Sequence, residues 1–288
     1  MSSRKALRKI LARPGYTIAA GAYDGLSARL VEQAGFEAVY LTGGGFSRAN
    51  GFPDIGLLTM TEIVGWIGRC VDAVGIPVIS DMDTGYGNAL NVVRAVREFE
   101  RTGIAAFHLE DQVAPKKCGH YEGKAVVSKN EMVGKIKAAV DARSDEELVI
   151  IARTDSIAME GFESAVERMQ AYLEAGADVG FIEAPQNREQ LAKIPGLLNK
   201  PALVNVFEGG KTPALPAAEF ETMGFRIGIY PSQTQRAAIR AMREMLAVLK
   251  AEGGTASIEH RLATFQEREE AVDTASWTAR ERQYMAEA

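Results

Sequence analysis

The sequence predicts a closed parallel (β/α)8 barrel of the TIM type, with an extra C-terminal helical tail. Eight short apolar runs alternate with amphipathic helical stretches, the pattern of parallel strands joined by helical crossovers. Eight such units are the number that closes a barrel. The rival doubly wound sheet lacks its signal, because no GxGxxG follows the first run. The 288 residues exceed the usual length of one domain, yet barrels of ~250 residues are routinely single domains. Residues 1–250 are therefore read as the barrel and 251–288 as a helical extension packing on a partner subunit, with Phe265 and Trp277 as its apolar anchors.

The elements follow in order. Thr17–Ala22 is the first strand, and a helix from Gly25 to Ala34 stops at Gly35, a residue suited to ending helices. Ala38–Thr42 leads into three glycines, then a helix spans Thr61–Val74. Pro77–Asp83 is the third strand and Ala89–Thr102 its helix. Ala105–Asp111 is the fourth, followed by a long polar loop and a helix over Lys129–Arg143. Leu148–Asp155, Val179–Pro185, Ala202–Phe207 and Phe225–Pro231 complete the strands. Helices over Phe162–Ala175, Arg188–Ile194, Pro216–Met223 and Gln233–Lys250 accompany them.

Composition excludes several functions. A net charge of −5 offers no basic footprint for nucleic acid or an anionic membrane. No apolar run reaches the ~20 residues that span a bilayer. Met1–Arg13 is basic and amphipathic but has no apolar signal core, so it reads as a helix. Two cysteines, Cys70 and Cys118, form no disulfide framework, which fits a reducing, cytoplasmic setting. Cys70, on an apolar helix face, reads as inert core.

Barrels of this kind carry their chemistry at the C-terminal strand ends. Those ends hold Tyr40 and Thr42, Asp81 and Asp83, His108 and Glu110, Arg153 and Asp155, Glu183, Asn205 and Tyr230. Asp81 and Asp83 are two apart and should share a face, where a hard cation would relieve their repulsion. A polar turn is the other reading of that segment. Arg153 suits a carboxylate or phosphate, and Gly43-Gly44-Gly45 could hold a second anionic group through backbone amides. The implied substrate is a small oxyacid. His108 could instead be a core histidine, Glu183 a structural partner of Arg153, and Asp54 a turn residue, while Asp111 and Asp155 read as caps of the following segments. In the loop after the fourth strand, Lys116, Lys117 and His120 flank Cys118, and positive neighbours make a thiol reactive. Gly119 and Gly123 could hinge it as a lid.

These motifs resemble the isocitrate lyase/phosphoenolpyruvate mutase superfamily: Asp-Met-Asp-Thr-Gly-Tyr-Gly-Asn at Asp81, His-Leu-Glu-Asp at His108 and Lys-Lys-Cys-Gly-His at Lys116. The resemblance covers roughly Ile18 to Pro231 and is strongest to the shorter branch of 2-methylisocitrate lyase, 2,3-dimethylmalate lyase and carboxyphosphonoenolpyruvate phosphonomutase. It implies Mg²⁺, with Mn²⁺ as a substitute, at Asp81, Asp83 and Glu110, the last two through bound waters. It implies substrate contacts at Tyr40, Thr42, Gly43, Gly44, His108, Gly119, His120, Arg153, Glu183 and Asn205. It implies a gating loop of Lys116, Lys117, Cys118, Gly119 and His120, its cysteine acting as acid/base, with Asp54 and Tyr40 as candidate bases. It further implies a homotetramer that exchanges C-terminal helices. The expected reaction is Mg²⁺-dependent C–C cleavage of a small hydroxy-di- or tricarboxylate to an α-keto acid and a carboxylate. The alternatives are phosphonomutase chemistry, oxaloacetate decarboxylation or hydrolysis, and a non-enzymatic barrel that binds a small acid.

Overall fold

The computed structural model describes residues 2–117, 119, 123–210 and 212–285. The elements are α1 (Ser3–Ala12), β1 (Thr17–Ala22), α2 (Gly25–Gln33), β2 (Ala38–Leu41), α3 (Gly43–Ala49), α4 (Met60–Asp72), β3 (Val78–Asp81), α5 (Ala89–Arg101) and β4 (Ala106–Glu110). Then come α6 (Lys129–Ala142), β5 (Val149–Thr154), α7 (Ile157–Glu160), α8 (Phe162–Glu174), β6 (Val179–Ile182), α9 (Arg188–Leu197) and β7 (Ala202–Asn205). The last are α10 (Ala217–Met223), β8 (Ile227–Tyr230), α11 (Gln233–Glu252), a 3₁₀ turn, α12 (Phe265–Ala271) and α13 (Thr274–Tyr284).

The eight strands pair in sequence order and β8 returns to β1, closing the predicted barrel with every pair parallel. Period-two alternation splits the strand residues into two apolar layers. Ala19, Ala38, Ile79, Ala106, Ile151, Phe181, Leu203 and Ile229 fill the inside. Val39, Phe107, Ile150, Ala152, Ile182 and Val204 face the helices. Helix faces follow the 3.6-residue period: α5 buries Val92, Ala95, Val96 and Phe99. Reciprocal capping boxes start four helices, from Asp24 with Ser27, Thr59 with Glu62, Asn88 with Asn91 and Thr264 with Glu267.

The basic N-terminal segment is the expected helix, and its arginines have a structural task. Leu7 and Leu11 of α1 join the inner apolar cluster. Arg4 donates to the Ile104 and Glu100 carbonyls, and Arg8 to those of Glu146, Glu147 and Leu148. Those carbonyls precede β4 and β5, so α1 fills the end of the barrel opposite the strand C-termini. Cys70 is buried in the core and its thiol is pushed up to about 12 by burial, as expected of an inert cysteine.

On the outer layer Tyr16 lies against β8, where Gly228 leaves room for it. A Cβ at Gly228 would stand 1.6 Å from the Tyr16 hydroxyl oxygen. Gly228→Ala is therefore expected to destabilise the barrel by about 1–3 kcal/mol or more, read as a lower urea midpoint with unchanged slope. Tyr230 also faces outward, 3.4 Å hydroxyl to hydroxyl from Tyr16, which removes it from the polar groups at the strand ends.

The chain divides into two compact units, residues 1–233 and 234–288. Within the second, Phe265, Trp277, Tyr284 and Met285 are exposed. No described helix is long and apolar enough to cross a membrane.

Candidate active site

The inward parity that fills the barrel with apolar side chains ends in polar ones at the strand C-termini. Along β5 the series is Val149, Ile151, Arg153, and along β6 it is Val179, Phe181, Glu183. Beneath the mouth lies a buried pair: the Tyr40 hydroxyl is 2.7 Å from His108 Nε2. His108 Nδ1 stands 3.6 Å from Asp81 Oδ1 and has no hydrogen-bond partner. Burial, which its ionic neighbours only partly offset, lowers the imidazole to about 4, so His108 is neutral at pH 7. Burial also pushes the Tyr40 phenol well above its usual range, and Asp81 adds to this. That makes Tyr40 a hydrogen-bond donor and a poor base.

Above them the carboxylates assemble. Strand β3 stops at Asp81, earlier than Pro77–Asp83 as read from the sequence. Asp83 is therefore not placed by strand alternation. It has left-handed backbone, φ 48°, and its amide donates to Asp81 Oδ1 at 2.9 Å. Its carbonyl accepts from the Glu110 amide at 3.0 Å, which ties it to β4. Burial would raise Asp81, but His108, Lys116 and Arg153 overcome this and lower it to about 2, a pH at which His108 is protonated. Burial and the charge of Asp81 raise Asp83 to about 6 against the pull of Lys116. Glu110 is raised well above the carboxylate range, first by burial and then by Asp155 and Asp81, although Arg153 opposes this. Lys116, itself buried, sits between Asp54 Oδ1 and Asp83 Oδ1 at 2.8 Å from each.

The three glycines are not an open loop. They form the first turn of α3, and the Thr42 hydroxyl caps it by accepting from the Gly45 amide. Their value here is the missing Cβ. One at Gly43 would be 2.7 Å from Asp81 Oδ2, and one at Gly44 2.7 Å from Asp54 Oδ2.

Beside the acids, on the neighbouring strand β5, stands a buried arginine. Arg153 lies over the Phe181 ring, 5.1 Å from its centroid. Its Nε is 2.7 Å from Asp155 Oδ2 and 3.2 Å from Glu110 Oε2, and its Nη2 is 3.5 Å from Glu183 Oε2. Asn205 Nδ2 donates to Glu183 Oε2 at 3.1 Å. Glu183 is thus a partner of Arg153, and left-handed Ala184, φ 58°, returns its amide to Glu183 Oε1 at 3.0 Å.

The structure brings together Tyr40, Gly43, Gly44, Asp54, Asp81, Asp83, His108, Glu110, Lys116, Gly119, Arg153, Glu183 and Asn205. Lys117 turns to its own loop, its backbone paired with the Gln112 side chain and its Nζ bonded to the Gly123 carbonyl. Cys118 and His120 lie outside the described residues. Asp111 and Asp155 do not cap helices. Asp111 accepts from Thr154, Tyr172 and the Asp155 amide, and Asp155 pairs with Arg153 and Lys124. The sequence reading passed over Lys124; a lysine just after a hinge glycine was its only signal.

A hard cation fits this donor set. Every candidate ligand is a carboxylate oxygen, and Glu110 Oε1 is buried with no hydrogen-bond partner. Among the described residues no three His, Cys, Asp or Glu side chains close on one point.

A family profile described as phosphoenolpyruvate phosphomutase matches residues 7–250. The chain belongs to that family. Through it the chain sits in the phosphoenolpyruvate mutase/isocitrate lyase superfamily. It is 47% identical over 268 residues to 2,3-dimethylmalate lyase of Eubacterium barkeri, covering 93% of each chain. It is 43% identical to 2-methylisocitrate lyase of Aeropyrum pernix, covering 90% of this chain and 83% of that one. A solved phosphonopyruvate hydrolase in complex with oxalate and Mg²⁺ superposes with a TM-score of 0.90 at 32% identity, covering 99% of this chain and 100% of that one. Both named relatives are lyases, and the hydrolase shows that one barrel of this shape takes a small dianion and Mg²⁺ together.

Proposed function

We propose that this chain is a Mg²⁺-dependent carbon–carbon lyase that cleaves a small hydroxy-di- or tricarboxylate to an α-keto acid and a carboxylate. One observation carries the reading: at the mouth of one barrel the carboxylates ending β3 and β4 stand beside a buried arginine from β5, with Glu110 3.2 Å from Arg153. The relatives named as 2,3-dimethylmalate lyase and 2-methylisocitrate lyase support it. Mg²⁺ would be held by Asp81, with Asp83 and Glu110 binding its waters. When bound it supplies Lewis-acid stabilisation of the oxyanion that becomes the keto oxygen.

The chain's own residues do the rest. Arg153, oriented by Asp155 and Glu183, receives a substrate carboxylate in a bidentate fork. Asp54, held beside Lys116, takes the proton from the substrate hydroxyl, a task for which the buried Tyr40 phenol is unsuited. The C–C bond then breaks. Its electrons pass to the carbon next to the departing carboxylate, and the Cys118 thiol protonates that carbon. Lys116 crosses from the loop to Asp54 and Asp83, and with Gly119 it helps exclude water. The exposed apolar residues of the second unit support a homotetramer with exchanged C-terminal helices; the chain's two cysteines support a cytoplasmic setting, and the relatives' names a small carboxylate as substrate.

The test is a coupled α-keto-acid assay with Mg²⁺ across alkylmalates, 2-methylisocitrate, isocitrate, citrate and oxaloacetate, with a phosphonate followed by phosphorus NMR. Pyruvate or glyoxylate should appear from one hydroxy acid, stop on EDTA addition, and fall about 10²–10⁴-fold in Cys118→Ala. Turnover of oxaloacetate or the phosphonate alone would replace this reading with the hydrolase or mutase reading.

A further inference from the structure

The guanidinium of Arg153 has one charge and three carboxylate neighbours, Asp155, Glu110 and Glu183. A second cation that answers one of them lessens the negative charge an incoming anion would meet. That cation is Lys124. Its Nζ is 2.7 Å from Asp155 Oδ1, the oxygen that also accepts from Arg153 Nη2 at 3.1 Å. The same Nζ donates to the Gly119 carbonyl at 2.6 Å. Gly119 in turn lies so close to the site that a Cβ there would be 2.7 Å from Arg153 Nη2 and 3.0 Å from Glu183 Cδ. Lys124 and Asp155 are buried, with side chains 3% and 0% exposed, so water does not screen this link. The link also has a fixed base. The Asp155 amide donates to Asp111 Oδ1, and Thr154 and Tyr172 hold the other Asp111 oxygen.

We propose that Lys124 is a positioning residue: it latches the β4–α6 loop at Gly119 to Asp155 and, through Asp155, aims the Arg153 guanidinium at the substrate's anionic end. The role given to Arg153 rests on the lyase reading; the latch does not. In the full-length protein without ligand, hydrogen exchange across residues 113–127 should be about tenfold faster in Lys124→Met than in wild type. Barrel-strand exchange should stay at the wild-type rate, and the melting temperature should fall by no more than a few degrees, because Asp155 keeps Arg153 as a counter-charge. Lys124→Arg, which keeps the charge and the donors, should restore slow exchange. In turnover, Lys124→Met should lower kcat/KM about tenfold or more with a fall in kcat, and Lys124→Arg should recover most of it. Should Lys124→Met melt early, Lys124→Gln, with its single amide donor, should exchange at an intermediate rate. Wild-type exchange in either uncharged variant overturns the latch. A wild-type enzyme without lyase turnover would sink the functional reading, and the exchange comparison would still decide the latch.

Discussion

An Arg153→Met enzyme is expected to lose about 10²–10³-fold in kcat/KM and about 3–5 kcal/mol of stability. The two losses have different causes. Activity falls because the site loses its charged fork, and no other described cation faces the mouth from β5 or β6. Stability falls because Asp155, Glu110 and Glu183 are each at most 1% exposed and would lose their shared counter-charge. Removing one partner of a buried ionic cluster leaves the others uncompensated, which costs more than the intact cluster contributes. Burial already favours the protonated form of Glu110, and Asp155 keeps Lys124, so the deficit falls mainly on Glu183. Arg153→Lys should recover part of the stability and little of the activity, because an ammonium on a flexible stem cannot reproduce the planar fork. Urea denaturation and the coupled assay measure the two effects. Values within twofold and 1 kcal/mol of wild type would remove Arg153 from the site.

Gly43→Ala is expected to be nearly silent in stability and about 10²-fold slower in turnover. The backbone of Gly43 is helical, in the first turn of α3, so alanine gains up to about 1 kcal/mol of helix propensity. Against this, the new methyl would stand 2.7 Å from Asp81 Oδ2 and 3.4 Å from Asp83 Oδ1. Overpacking of this kind costs about 1–3 kcal/mol, so the two terms largely offset. They do not offset for chemistry. Asp81 must move, and displacing a positioned group by about 1 Å can cost 10²-fold. Unchanged kcat/KM with Mg²⁺ would show that the geometry of Asp81 is unimportant, and the metal assignment would fall with it.

The fold was largely legible because each barrel unit announces itself locally. A run such as Val149–Thr154 is apolar on both faces, since helices cover one side and the barrel interior the other. The ends of the eight strands were placed within about three residues by the same pattern. The polar positions follow from where each apolar run stops, and the structure places Glu110, Arg153, Glu183 and Asn205 side by side there. What parity could not give was anything set by a positive φ or a loop. Asp83 reaches the acids through a left-handed turn, and Tyr230 sits on the wrong face because β8 has the opposite phase. Asp155 was misjudged because its partner Lys124 is 31 positions away and no local spacing links them. The helical turn of α3 was missed for the opposite reason: three consecutive glycines argue against a helix, and a Thr42 cap with close carboxylates overrides that propensity.

The helix that carries Leu7 and Leu11 gives this vessel a sealed base. On the proposed lyase reading one substrate becomes two products, and neither can escape downward. Both fragments must use a single doorway, so departure becomes a queue, with whichever piece rests nearer the threshold going first. Inhibition patterns from added products should therefore be unequal, one competing with substrate and the other not.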